Sequence, residues 1–130
     1  MKRILTFVVL LFFISSITSS DDNWIEFFED DRLKVIINKP SIRTVDDSLF
    51  ILEKYIIKNP LKGVYPCTIK YIEVNCKSLM FRTLNTKYYE DKSCSIFGSE
   101  NTKSKDWKYN NPGTISNNNR RKQCEVFSPQ

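Results

Sequence analysis

The chain has 130 residues, with 20 lysines and arginines, 15 aspartates and glutamates, four cysteines, three glycines and no histidine. Without imidazole there is no Ser-His or Cys-His nucleophile pair, no two-His nuclease chemistry and no His-completed zinc site, and three glycines make no phosphate-cradling loop. The net charge of +5 is mild and does not by itself point to nucleic acid.

Lys2 and Arg3 precede an apolar run of 11 residues, Ile4 to Ile14, the length of a signal-peptide core. A bilayer span needs about 20 residues; the alternative, a retained anchor, is the weaker reading. Ser15, Ser16, Thr18, Ser19 and Ser20 follow. Cleavage after Ser20 is expected, leaving residues 21–130 as one domain with a net charge of +3 once Lys2 and Arg3 are gone. No cysteine follows the run, so the usual lipoprotein attachment point is missing. An exported chain, periplasmic or released to the surface, is expected, with no further membrane span.

Trp24 to Glu29 and Arg32 to Asn38 read as two strands, rich in the residues that strands prefer. A turn at Asp30-Asp31 would set Glu29 against Arg32, Phe28 against Leu33 and Ile25 against Ile36. Lys39-Pro40-Ser41 breaks the strand, as a turn or a single helical turn. Val45 to Ser48 is a turn signal. Leu49 to Lys58 fits both periods; strand is preferred because its neighbours are strands and its ends are turn-like. Asn59 to Pro66 is a loop.

Cys67 to Tyr89 reads as a long hairpin. With Lys77-Ser78 as its turn, Cys76 faces Leu79, Val74 faces Phe81 and Ile72 faces Thr83, while Glu73 meets Arg82 on the other face. Lys-Ser is not a favoured two-residue turn. Glu90 to Lys105 reads as a long polar loop. After Asn111-Pro112-Gly113, Thr114 is placed to cap a helix from Ile115 to Gln123, whose asparagines are poor helix formers. Phe127 to Gln130 reads as a loose end.

Four cysteines in a short exported chain read as two disulfides. A metal site is disfavoured, since no pair is spaced C-x-x-C. Cys67 and Cys76 on one strand would lie roughly 30 Å apart, beyond the ~7 Å that a bridge allows. In this register Cys67 faces Tyr88, and Cys94 can curl back to it. That leaves Cys76 for Cys124, fastening the C-terminal segment to the hairpin's turn end.

The order and spacing of these features resemble the surface-adhesin protein E family. The resemblance rests on Trp24; on Val35-Ile36-Ile37-Asn38 with Pro40-Ser41-Ile42; on Ile72-Glu73-Val74-Asn75-Cys76-Lys77 with Phe81-Arg82; and on Trp107, Pro112-Gly113-Thr114 and Cys124. The chain departs from the pattern at Asn38, where aspartate is common, and in its polar helix; Cys67 and Cys94 look like an addition. The resemblance implies an α+β fold: a twisted antiparallel sheet of five to six strands against a short C-terminal helix, with a Cys76–Cys124 bridge. It also implies a non-enzymatic adhesin that binds host extracellular-matrix proteins and forms a homodimer.

Charge supports binding. Lys103, Lys105, Lys108, Arg120, Arg121 and Lys122 gather near Trp107 and Tyr109. Folded onto the sheet they would make a basic face for an acidic protein or sulfated glycan, set against the plain reading of a solvated charged surface. Trp24 and Trp107 read first as core residues. Glu53 and Glu73 are not expected to form a catalytic pair, since Glu73 already faces Arg82. A second function class is a periplasmic structural or regulatory protein that meets another envelope protein through a sheet edge. No cofactor and no nucleic-acid partner are expected.

Overall fold

The computed structural model describes residues 23–102 and 105–128. The expected signal segment, residues 1–20, and Lys103 lie outside the described residues. The strands are β1 (Trp24–Glu29), β2 (Leu33–Asn38), β3 (Arg43–Val45), β4 (Ser48–Ile57), β5 (Cys67–Asn75), β6 (Phe81–Tyr89) and β7 (Phe97–Asn101), followed by the helix α1 (Ile115–Phe127). All pairs are antiparallel, in the order β1-β2-β4-β5-β6-β7, with β3 also on β4. The fold is thus the expected antiparallel sheet with one C-terminal helix.

β2 and β3 are one strand interrupted by proline. A 3-10 helix at Lys39–Ser41 takes up the break, capped by Asn38, whose Oδ1 accepts from the Ser41 amide at 3.1 Å. Ile37 faces Glu53 on one side of it and Arg43 faces Phe50 on the other, so three residues are looped out. Pro40 lacks an N–H and cannot serve the ladder, which is why the strand breaks here.

Two registers differ from expectation. Between β1 and β2 the partners are Trp24–Asn38, Ile25–Ile37, Phe28–Val35 and Glu29–Lys34, with a bulge at Phe27. The turn sits one residue later than Asp30-Asp31, because the Asp30 carboxylate accepts from the amides of Arg32 (2.8 Å) and Leu33 (2.7 Å). An Asx turn of this kind closes over the two residues after the aspartate. In the long hairpin, Val74–Phe81, Glu73–Arg82 and Ile72–Thr83 pair as expected. Leu84 then bulges, so Tyr71 meets Asn85 and Cys67 meets Tyr89 rather than Tyr88. The turn is a four-residue loop, Cys76 to Leu79, with Leu79 at φ +61° and the Asn75 carboxamide accepting from Lys77 and Ser78.

Two further differences concern the C-terminal third. The long polar stretch contains β7, which pairs with the distal end of β6. β7 lies so close to Tyr65 that a Cβ at Gly98 would sit 2.5 Å from the ring, so only glycine fits. The helix continues past Gln123 to Phe127, whose ring packs 6.3 Å from that of Phe27. Thr114 caps it as expected, accepting from the Asn117 amide at 3.2 Å.

Residues paired across antiparallel strands share a face. Ile37, Leu49, Ile51, Ile72 and Val74 are all fully buried on one face, and Cys124 reaches them from the helix. Both expected bridges are present, Cys67–Cys94 and Cys76–Cys124. The second fixes the helix across the core at the turn end of the hairpin.

Candidate functional site

The expected basic face is divided by the fold. Residues 105–109 run beside the start of β6, held by a two-way bridge: the Phe81 amide donates to Lys108 O at 2.9 Å and the Lys108 amide to Phe81 O at 2.7 Å. Lys105, Trp107, Lys108 and Tyr109 are all exposed, the two rings at 39% and 49%. Trp107 is therefore not a core residue, contrary to its first reading. Its ring stacks 4.7 Å from the Arg82 guanidinium. Arg82 is itself fixed, its Nη2 and Nε lying 2.7 and 2.8 Å from Glu73 Oε1, while Ser48 Oγ donates to Glu73 Oε2 at 2.7 Å. The result is a strip of exposed aromatic and cationic groups on a rigid mount.

The helix cations do not join that strip as a block. Lys122 is exposed but extends over the Phe27 ring at 5.0 Å, toward the β1 edge. Arg121 is exposed on the other flank, lining a recess with Lys77, Leu79 and the Cys76–Cys124 bridge. β1 and β6 are separated by β2, β4 and β5. At about 4.8 Å per strand that is roughly 19 Å.

Arg120 leaves the surface altogether. Its Nη1 donates to both oxygens of Glu53 at 2.9 Å and to Gln123 Oε1 at 3.0 Å; Nη2 reaches the Tyr55 hydroxyl at 3.3 Å. Gln123 and Tyr55 also donate to Glu53, and the guanidinium lies 4.9 Å from the centre of the Phe81 ring. Burial works against the charge on Arg120, but the Glu53 carboxylate more than offsets it and its affinity for the proton rises. Burial first, then the Glu53 charge, pushes the Tyr55 phenol well above the ordinary tyrosine range. Sequence reasoning missed this network, although a signal existed. Cys124 must face the sheet to be bridged, and Asn117, Arg120 and Cys124 recur at helical spacing on that face. Glu53 pairs with Lys70 and Glu73 with Phe50, so the two glutamates point to opposite faces of the sheet and make no carboxylate pair.

Among the described residues no group of His, Cys, Asp and Glu is placed to hold a metal ion, and no helix is long and apolar enough to cross a membrane.

No match was found among curated proteins and none among solved structures. A scan against family models does find one, Surface-adhesin protein E, over residues 24–125, which takes in every strand and the helix up to the residue after Cys124. The chain therefore belongs to the surface-adhesin protein E family.

Proposed function

We propose that this is an exported, non-enzymatic adhesin-like domain whose strip of Lys105, Trp107, Lys108 and Tyr109 binds host extracellular-matrix protein or acidic glycan. The observation that carries the reading is the mount. Exposed aromatic rings beside cations are the usual anchors of binding surfaces, and here the segment is bridged to β6 and backed by the Arg82–Trp107 stack. Pre-ordering of this kind lowers the entropy lost on binding. Arg120, Arg121 and Lys122 belong to the helix on the other face of the sheet and take no part in it.

Capture on heparin in low and high salt tests the proposal. Retention at low salt that collapses at high salt, and that falls on Trp107→Ala and Lys105→Ala, is the expected result. Retention unchanged by both substitutions counts against it. Fractionation of the producing cells decides between surface and periplasm; strict periplasmic retention would end the adhesin form of the reading.

One observation favours sheet-edge contact as a second reading. β7 is an edge strand, and Ile96 and Phe97 at its start are 54% and 56% exposed. Such an edge accepts an added strand from an envelope protein or from a second copy in a homodimer. Binding or dimerisation insensitive to salt, and lost on placing proline in β7 where the N–H points away from β6, would favour it.

A further inference from the structure

On the helix-bearing face, near the β7 edge, the sheet holds a cavity of about 180 Å³ that no helix residue lines. Lys70 and Thr86 form its floor as cross-strand partners, with Thr83 and Tyr88 beside them, and Asp106 and Lys108 close it from the segment after β7. Thr86 is buried. Lys108 spends its backbone groups on the bridge to Phe81, which leaves its side chain for the cavity.

The charges do not balance. The carboxylate nearest Lys70 in the pairing is Glu53, which is already occupied by Arg120, Gln123 and Tyr55. Two lysines and one carboxylate, Asp106, thus line the recess, and Glu53 only partly offsets the cost of burying Lys70. Burial pulls Lys70 below the usual lysine range, a cost that an anion in the recess would relieve. The rest of the lining is neither apolar nor purely cationic. Threonine and tyrosine hydroxyls and the Asp106 carboxylate supply donors and acceptors together. That mixture suits a ligand carrying several hydroxyls and one negative group.

We propose that this cavity is a subsite for one acidic sugar residue of a glycan, its anionic group between Lys70 and Lys108 and its hydroxyls toward Asp106 and the threonines. The assignment rests on the glycan form of the reading above, with Lys108 turned to this face while its neighbour Trp107 stacks on Arg82 on the other. It names the unit recognised, where the strip alone would sense only charge density.

Amide NMR of the intact, disulfide-bonded protein tests it, with glucuronate and glucose 6-sulfate as probes and glucose and inorganic sulfate as controls at constant ionic strength. Either acidic sugar should give saturable shifts at Thr83, Thr86, Asn101 and Lys108, with Lys122 unmoved. Lys70→Met, which removes the ammonium that lies 5.1 Å from the Tyr55 ring centre but keeps the length of the side chain, should weaken binding at least about tenfold, the usual loss for one charge-assisted hydrogen bond. Asp106→Asn, at an exposed position, should narrow the preference for sugar over inorganic sulfate and serves if Lys70→Met does not fold. Inorganic sulfate binding as tightly as the sugars, or shifts spread over all surface lysines, would overturn the assignment. Heparin capture without sugar shifts sinks the cavity and spares the strip; sugar shifts without heparin capture do the reverse.

Discussion

Two glutamate–arginine pairs project from opposite faces of the same sheet. Glu73 and Arg82 are cross-strand neighbours in β5 and β6, with side chains 9% and 34% exposed. Glu53 and Arg120 come from β4 and α1, with side chains 1% and 7% exposed. The chemistry is the same, but the solvent is not. Water reaches the first pair only on its Arg82 side, and the pair orients Arg82 beneath Trp107. The second has exchanged water for fixed partners, so neither charge tolerates the loss of the other. One pair serves the binding strip; the other tells the helix where to lie.

The largest test of this contrast is Arg120→Met. It should destabilise the fold by about 3–5 kcal/mol, because Glu53 is left charged and enclosed. Denaturant unfolding measures it, and Glu53→Met added to Arg120→Met should recover part of the loss. A cost near zero would erase the distinction between the pairs. Next comes Cys76→Ser with Cys124→Ser, expected to cost about 2–5 kcal/mol. Limited proteolysis should then cut α1 before it cuts β1, whereas serine at Cys67 and Cys94 should leave α1 protected; early cleavage near Trp24 would contradict the contrast.

Arg82→Ala should cost about 1–3 kcal/mol, because it leaves the buried Glu73 carboxylate with Ser48, and it should also loosen Trp107 and weaken heparin capture. Trp107 fluorescence unchanged in that variant would mean that the stack does no positioning. Tyr55→Phe should cost about 0.5–1.5 kcal/mol at neutral pH through a lost hydrogen bond. Its pH dependence is more telling. Because the folded phenol is held above its unfolded range, its contribution is fully present below the ordinary tyrosine pKa and is lost as pH rises toward the folded value. The variant should therefore flatten the alkaline limb of the stability curve.

What was legible in the sequence follows the same division between near and distant partners. The hairpin register near its turn could be read from Val74–Phe81 and Glu73–Arg82, because neighbours in the ladder are neighbours in the pattern. The bridges could be read from strand length, and the helix start from Thr114. The bulges at Phe27 and Leu84 could not, since an extra residue in a mixed sequence leaves no mark on the alternation. The turn after β1 moved by one residue because Asp30 uses its side chain rather than its place in the turn. β7, with glycine, serine and glutamate, lacks strand composition and exists through pairing with β6. At the candidate site the exposed residues 105–109 were legible from charge beside aromatics, but Arg120 was counted among them because its charge was read before its place on the helix. The cavity at Lys70 had no sequence signal, since its lining comes from three strands and the segment that follows them.

Each strand of this meander, from Trp24 to Asn101, pairs with the segment made just before or just after it. The sheet can consequently zip in the order in which the chain is delivered, with little searching. The helix has to travel further, with Cys124 reaching back 48 positions to Cys76. Closure of that link is thus a stamp of completion, and a thiol-trapping time course on freshly made protein would count finished molecules directly.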